Sequence, residues 1–129
     1  MAYLLWTCGS GLYQGGHLAN SLVHRFHQEL NAGQYEQICQ EADAGFSESD
    51  THDNLIQFLR GVHTKLGNAT AENLTNLTVN ANTNGTFVVT TYSSTFANGT
   101  AVETFTWAKK GTGLKLYGYH VESKAFIVE

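Results

Sequence analysis

The chain contains no proline and only two cysteines among its 129 residues. The absence of proline excludes proline-rich linkers and polyproline recognition motifs. Two cysteines are too few for a disulfide framework or a cysteine metal site, although one bridge between Cys8 and Cys39 stays open in an oxidising compartment. Cys39 lies on the apolar side of a helical pattern, so we interpret it as a small core residue.

Basic residues are also scarce. Seven Lys and Arg stand against eleven Asp and Glu, which gives a net charge of −4. No basic stripe is present, so we do not expect nucleic acid as a partner. No run approaches the roughly 20 apolar residues of a transmembrane helix, so no membrane span is expected. Length and composition predict one globular domain over residues 17–129.

Residues 1–16 are interpreted as a flexible or signal-remnant segment before that domain. The stretch from Met1 to Cys8 is a short apolar run, and it resembles the end of a bacterial lipoprotein signal, whose cysteine is lipidated. Thr7 stands where a smaller residue is usual, and no basic region precedes the run. A frayed apolar arm of a cytosolic protein fits equally well. Localisation is therefore left between the bacterial envelope or periplasm and the cytoplasm.

Three helical patterns occupy the first half of the chain. Apolar residues recur every four positions from Leu18 to Leu30, which predicts a helix over about 17–31 that ends at Gly33 in a left-handed C-cap. A shorter stripe over 35–42 predicts a second helix, which residues 44–47 break. A third stripe runs over 55–66, with N-cap candidates at 51–54 and Gly67 at its end.

From Leu74 the apolar period changes from helical spacing to alternation. Four strands are predicted, at about 74–82, 87–96, 102–107 and 114–121. The turn signals Asn84-Gly85, Asn98-Gly99 and Gly111-Thr112 join them. Helices followed by an antiparallel meander indicate an α+β fold, with three N-terminal helices packed on one face of a four-stranded antiparallel sheet.

The hairpin that turns at Asn98-Gly99 predicts which side chains share a face of the sheet. A two-residue loop at Asn98-Gly99 places Tyr92 opposite Phe105 and Ser94 opposite Glu103. The aromatic face is expected to lie under the helices because their apolar stripes need a bulky partner, and the Thr-rich face is expected to point outward. The aromatic face consists of Val88, Tyr92, Phe96, Phe105 and Trp107.

The second hairpin completes the candidate cluster. The same logic at Gly111-Thr112 places Glu103 opposite His120. If the loop instead contains four residues, Tyr117 and Tyr119 point toward the helices. Both arrangements stay open.

The element order resembles the nuclear transport factor 2-like (cystatin-like) superfamily, and within it the small bacterial domains of unknown function. The likeness covers residues 18–123. It rests on the segments Leu30-Asn-Ala-Gly-Gln-Tyr35-Glu, Leu66-Gly67, Glu103-Thr-Phe-Thr-Trp107 and Leu114 to Val121. The resemblance implies a cone-shaped fold with a curved sheet and a bacterial source. It also implies a homodimer formed through the outer face of the sheet.

Tyr92, Ser94, Glu103 and His120 form the candidate site. An acid, an imidazole and two hydroxyls in an apolar cone are typical of a small-ligand pocket, to which Phe105 and Trp107 would add lining. A satisfied structural pair between the acid and the imidazole is the alternative explanation.

The favoured function is a non-enzymatic module for assembly or for binding a small apolar ligand. An isomerase- or dehydratase-type enzyme with Glu103 or His120 as general base is the alternative, and a purely structural domain is a third. No catalytic set, cofactor or metal site is predicted. His24 and His27 lie three positions apart, a spacing that suits a metal, but the helical stripe indicates that both are solvated.

Overall fold

The computed structural model describes the backbone of residues 2–126 and the side chains of residues 16–126. Helices come first: α1 (Ala2–Asn31), α2 (Tyr35–Glu41), α3 (Ala44–Ser47) and α4 (His52–Leu66). Strands follow: β1 (Ala69–Asn82), β2 (Gly85–Phe96), β3 (Gly99–Lys110) and β4 (Gly113–Glu122), then a 3-10 turn at Lys124–Phe126. The strands form one antiparallel sheet in the order β1-β2-β3-β4. The predicted α+β class, with helices before strands, is confirmed.

Helix α1 begins at Ala2, well before the predicted start near residue 17, so residues 9–16 belong to its backbone. The side chain of Cys8 lies outside the described residues, and its lipidation stays a prediction. Cys39 is a buried free thiol. The bridge that the sequence left open is therefore not formed, and the interpretation of Cys39 as a core residue is confirmed.

The helix ends follow their local sequence signals. Gly33 has a φ of 74°, and the N–H groups of Gly33 and Gln34 donate to the carbonyls of Leu30 and Glu29, at 3.1 and 2.8 Å. This is a Schellman motif, which needs a residue with positive φ and so favours glycine. At the start of α4, Thr51 accepts a hydrogen bond from the backbone N–H three residues later, at 3.2 Å, as an N-cap does.

Residues 44–47 form a short helix instead of the predicted break. Asp43 caps it, because its carboxylate accepts a hydrogen bond from the N–H of Gly45 at 2.9 Å. The N–H of Asp43 donates to the carbonyl of Leu116 in β4 at 2.8 Å. Helix α3 is thereby tied to the last strand of the sheet, whose free backbone groups need such cover.

Two of the turns close one residue earlier than predicted. The two-residue loops are Thr83-Asn84 and Ala97-Asn98, and Gly85 and Gly99 are the first residues of the strands that follow. Only glycines have positive φ in the described part of the chain. A type I′ turn with asparagine in the left-handed region is therefore not formed, which is why the predicted loop is wrong.

The early closure moves the β2–β3 register by two residues. Tyr92 lies opposite Glu103, and Thr90 lies opposite Phe105; the predicted pairs Tyr92–Phe105 and Ser94–Glu103 are wrong. Side chains alternate with a period of two, so this shift leaves each of them on its predicted face. The expected aromatic face is confirmed, because these residues are buried: Val88, Tyr92, Phe96, Phe105 and Trp107.

The β3–β4 hairpin closes where predicted, at Gly111-Thr112, and Trp107 lies opposite Leu116. A bulge follows directly, with a register shift between Thr106 and Trp107 that leaves Tyr117 as the extra residue of β4. One extra residue reverses the inward and outward alternation of the strand beyond it.

The bulge overturns the predicted pair of Glu103 and His120. Glu103 lies opposite Val121 and Phe105 lies opposite Tyr119. Tyr119 therefore occupies the helix side of the sheet, and His120 points to the outer side.

The core lies between the inner face of the sheet and helices α1 and α4. Phe105 is fully buried at its centre. Its ring contacts those of Phe26, Tyr119, Trp107 and Tyr92, with centroids 5.1, 5.0, 5.5 and 5.8 Å away. The helices complete the core with buried Leu30, Leu59, Val62 and Leu66. Buried polar residues, His27, Ser94 and Glu103 among them, lie within this packing.

Candidate functional site

A histidine bridges two carboxylates inside the core. His27 of α1 is 2% exposed. Its Nδ1 lies 2.7 Å from Glu72 Oε1 of β1, and its Nε2 lies 2.7 Å from Glu103 Oε1 of β3. Both carboxylates offer acceptor oxygens, so an imidazolium that donates from both nitrogens satisfies the arrangement.

Glu103 is the centre of this network, and it is fully buried. Its Oε1 also accepts a hydrogen bond from Ser94 Oγ at 2.6 Å, and its Oε2 accepts one from Tyr119 Oη at 2.6 Å. Three donors thus hold one carboxylate, which offsets the cost of removing its charge from water.

The pKa shifts agree with a charged histidine. Burial lowers the pKa of His27, but the hydrogen bonds and charges of Glu103 and then Glu72 outweigh it, so the pKa is raised. Burial, together with the negative charge of Glu103, raises the pKa of Tyr119 well above its ordinary value. Tyr119 therefore remains a protonated donor to Glu103.

The structure brings together part of the predicted cluster. Ser94 and Glu103 are bonded to each other, and Phe105 packs beside them. Tyr92 lies on the same face, but its hydroxyl donates to Asn20 Oδ1 at 2.6 Å; burial raises its pKa to about 12. Trp107 donates to Thr90 Oγ1 at 3.0 Å.

His120 is the predicted member that the structure separates from the rest. Its Nε2 lies 3.0 Å from Glu122 Oε2, and the two side chains are 67% and 75% exposed. Such an exposed pair contributes little to stability.

Sequence reasoning missed His27 and Glu72 as members of the network, and it left open whether Tyr119 faces the helices, as it does in the structure. The predicted stripe of α1 was centred near Leu22, which placed His27 at its margin. The buried positions are instead Ala19, Val23, Phe26, His27 and Leu30. The i, i+4, i+7 series from Ala19 defines a stripe whose centre lies about 70° from His27 on a helix of 3.6 residues per turn. That series was the available signal.

The three-residue spacing of His24 and His27 places both imidazole rings beside one carboxylate, that of Glu72, and not around a metal. The Nδ1 atom of His24 lies 3.3 Å from Glu72 Oε2, while His27 holds the other oxygen of the same group. The prediction that both are solvated holds for His24, which is exposed, and is wrong for His27.

A cavity of about 220 Å³ lies between α1, α2 and strands β3 and β4, and its lining does not include the residues of the network. Its wall is mainly apolar, and Phe26 and Trp107 are part of it. Both rings pack against Phe105, whose ring centroid lies 6.4 Å from that of His27. The cavity and the buried network are therefore supported by the same aromatic cluster.

Two carboxyl groups share one guanidinium at the cavity. Arg25 Nε donates to Glu29 Oε2 at 3.3 Å, and Arg25 Nη2 donates to Glu41 Oε2. Glu29 is 8% exposed. Burial raises the pKa of Glu29 to about 7, with Glu41 adding to the rise and Arg25 opposing it. Glu29 therefore keeps its proton at higher pH than an ordinary exposed glutamate does.

The two regions differ in what they can do chemically. In the described part of the chain, no buried side-chain nitrogen or oxygen lacks a hydrogen-bond partner, so the network around Glu103 is complete as it stands. The cavity, by contrast, offers an apolar wall and a titratable acid at Glu29. Small-molecule sites have this composition, although most are larger.

Comparisons with known proteins define a family and a fold. A family model described as "Protein of unknown function (DUF4019)" matches residues 23–119. A search of curated proteins finds no match to the chain. The structure is similar to the 1.8 Å structure of Aln2 from a Streptomyces species, with a TM-score of 0.50, 14% sequence identity, and coverage of 88% of this chain and 93% of that one. At this identity the likeness shows the fold alone. Over the part of the chain that the structure describes, no helix is both long and apolar enough to cross a membrane.

Proposed function

The chain belongs to the DUF4019 family of proteins of unknown function, and we propose that it is a non-enzymatic module that binds a small, mainly apolar ligand. The cavity between α1, α2, β3 and β4 supports this proposal. An apolar cavity of roughly 150 Å³ in another protein stays dry and holds benzene. The cavity here is open to solvent, since the exposed Arg25 and Lys115 line it, and its volume of about 220 Å³ has room for one ring with a short side chain.

The arrangement of Glu103 favours binding over catalysis. A general base needs a free acceptor within reach of the substrate proton. Glu103 is fully buried and accepts hydrogen bonds from Ser94, His27 and Tyr119. His120, the other candidate base, lies opposite Thr104 on the outer face of the sheet. The network accordingly contributes to the fold, and it is linked to the cavity through Phe105, which packs near His27 and against Phe26 and Trp107.

Tryptophan fluorescence tests the proposal. Trp107 lines the cavity, and the chain has one other tryptophan, Trp6. In a Trp6→Phe variant, benzyl alcohol should change the emission of Trp107 in a saturable way. Native mass spectrometry of freshly purified protein should also show whether a small ligand accompanies the chain.

A cavity-filling substitution provides the matched control. Ala42 lines the cavity, so Ala42→Leu should abolish the saturable change. Ala71 is exposed on β1, and Ala71→Leu adds the same atoms without entering the cavity, so it should leave binding intact. The proposal fails when Trp107 does not respond to benzyl alcohol, or when both variants bind as the parent does.

Three finer features remain proposals that rest on the sequence resemblance. The first is a nuclear transport factor 2-like, cystatin-like cone in which the sheet curves around the cavity. The second is a homodimer through the outer face of the sheet, where Val102 is half exposed; a monomer at tens of micromolar in ultracentrifugation would contradict it. The third is lipidation of Cys8 in a bacterial envelope, and recovery of the natural gene product wholly in the soluble fraction would contradict that.

A further inference from the structure

The two edges of the sheet are protected to different degrees. An edge strand presents unpaired N–H and C=O groups, and natural proteins cover such edges or place charged residues, proline or bulges on them. At the β4 edge, helix α3 provides cover through the bond from Asp43 to the carbonyl of Leu116, and the strand carries Lys115 and Glu122. Strand β1 forms the other edge.

The first half of β1 is protected. Asn31 of α1 holds both backbone groups of Ala69, because its amide donates to the carbonyl at 3.0 Å and its side-chain oxygen accepts from the N–H at 2.8 Å. Glu72 adds a charge, and a register shift between Leu74 and Asn76 marks a bulge. Edge strands are usually protected by such features.

The second half of β1, residues 76–82, differs from the first. It contains no charged residue, no proline and no register shift, and the described residues provide no hydrogen bond from a helix to its backbone. Every residue from 78 to 82 is exposed, and Val79 is among the large apolar residues on the surface, at 41% exposed. A regular, uncharged edge of this kind is a template for pairing with another strand.

The sequence of this edge is complementary to itself. The bulge at one end and the turn to β2 at the other place the midpoint of the regular segment at Val79. In an antiparallel pair with a second copy, Val79 then lies opposite its own copy, and Leu77 lies opposite Ala81. Asn76 lies opposite Asn82. Apolar side chains meet apolar ones, amides meet amides, and no like charges face each other.

We propose that β1 pairs with β1 of a second copy about a two-fold axis at Val79, so that two four-stranded sheets become one continuous sheet. Val79 lies opposite the buried Val88 and so on the helix side of the sheet. In the dimer its exposed side chain packs against its copy, which removes apolar surface from water. The interface consists of one strand from each copy, so the dimer is weak and depends on concentration. It is independent of the cavity and distinct from a dimer through the outer face.

Sedimentation and a charge exchange test the pairing. Ultracentrifugation from about 10 to about 500 µM should show a reversible monomer–dimer equilibrium. Thr78 lies opposite Asn80 in the proposed register. Thr78→Lys combined with Asn80→Lys places like charges opposite each other and should weaken the dimer about tenfold, whereas Thr78→Lys combined with Asn80→Glu creates two opposite-charge pairs and should restore it.

Single cysteines identify the register. In a Cys8→Ser background, Val79→Cys places two thiols at the two-fold axis, where directly opposite Cα atoms lie about 4.5–5.5 Å apart, within reach of a disulfide. Mild oxidation should therefore give a covalent dimer. Asn82→Cys is the matched control, because its copy lies about 20 Å away at 3.4 Å per residue, and it should not cross-link. The native Cys39 is buried.

The outcomes separate the edge from the outer face. Val102 is half exposed on the outer face of β3, so Val102→Lys should leave the edge dimer intact, and its loss in that variant would overturn the proposal. A monomer up to about 500 µM, equal association of the two charge variants, or equal cross-linking of Val79→Cys and Asn82→Cys would also overturn it. Thermal melting checks that each variant folds, and the concentration series on the unsubstituted protein needs no variant.

Discussion

Replacing Glu103 by glutamine should lower stability mainly through the loss of one buried charge. The substitution keeps the shape of the side chain. The amide oxygen can accept from His27 and Ser94 as the carboxylate does, and the amide N–H can donate to the hydroxyl of Tyr119. Three hydrogen bonds can thus form, while the negative charge opposite His27 disappears and the hydroxyl hydrogen of Tyr119 loses its acceptor.

The magnitude follows from what remains around His27. Removing one partner of a buried ion pair costs about 3–5 kcal/mol. His27 keeps its second carboxylate, Glu72 at 2.7 Å, so we expect Glu103→Gln to cost about 2–3 kcal/mol. Glu103→Leu also leaves the hydroxyls of Ser94 and Tyr119 unpartnered, at about 1–3 kcal/mol each. The leucine variant should therefore lose about 4–9 kcal/mol, a large part of the roughly 5–15 kcal/mol of a small domain.

The pH dependence of this effect has a definite sign. The pKa of His27 is raised in the folded protein, so its contribution is fully present below the unfolded value near 6.5 and is lost as the pH rises through the folded value. Wild type should lose stability over that range. Glu103→Gln should show a shallower loss, because only Glu72 then supports the charged imidazole.

Urea denaturation at several pH values measures both quantities. The matched control is Glu122→Gln, which removes a carboxylate from the exposed pair with His120 and should cost less than about 0.5 kcal/mol. Equal effects of Glu103→Gln and Glu122→Gln would refute the reasoning. So would a Glu103→Leu variant more stable than Glu103→Gln, because the network would then be replaceable by apolar packing.

Two further substitutions test the fold around the site. A Cβ at Gly45 would lie 2.1 Å from the ring of Tyr117, so Gly45→Ala should cost about 1–3 kcal/mol in thermal or urea melts. In a Tyr117→Ala background the same change should be nearly neutral, and an equal cost in both backgrounds would contradict the clash. Thr51→Ala removes the N-cap of α4 and should cost about 1 kcal/mol by urea titration. Thr64→Ala, at an exposed position of the same helix, should stay within about 0.5 kcal/mol, and equal losses would argue against the cap.

The faces of the sheet were predictable because alternation is a robust signal. Tyr92, Phe105 and Trp107 are buried as expected, although the register of their strands is displaced by two residues. An even displacement exchanges partners without exchanging faces. The sequence pattern therefore predicts the face on which a side chain lies more reliably than it predicts the partner on the neighbouring strand.

The turns were less predictable because an Asn-Gly pair has more than one use. In the expected turn both residues have positive φ. Here Gly85 and Gly99 have φ values of 129° and 154° and begin strands, while Asn84 and Asn98 are the second residues of their loops. Asn98 donates from its side chain to the carbonyl of Lys65 at 3.1 Å. That contact with α4 is tertiary, so no local sequence pattern predicts it.

The bulge at Tyr117 decides the composition of the site, and its cause lies in the order of apolar residues along β4. Leu114 and Leu116 are inward at even positions, whereas Tyr119 and Val121 are apolar at odd positions. A regular strand would bury one pair and expose the other.

One inserted residue lets both pairs of β4 face the helices. Tyr119 is partly buried against the core, and burying about half of the 150–250 Å² of a tyrosine stabilises the fold by about 2–3 kcal/mol at 25 cal/mol per Å². This exceeds the roughly 1 kcal/mol net contribution of one ladder hydrogen bond. The same insertion brings the hydroxyl of Tyr119 to the free oxygen of Glu103 and turns His120 outward. The switch of apolar residues from even to odd positions along β4 is thus the sequence signal for the bulge. Because of the bulge, Glu103 is paired with His27 of helix α1 and not with His120 of the neighbouring strand.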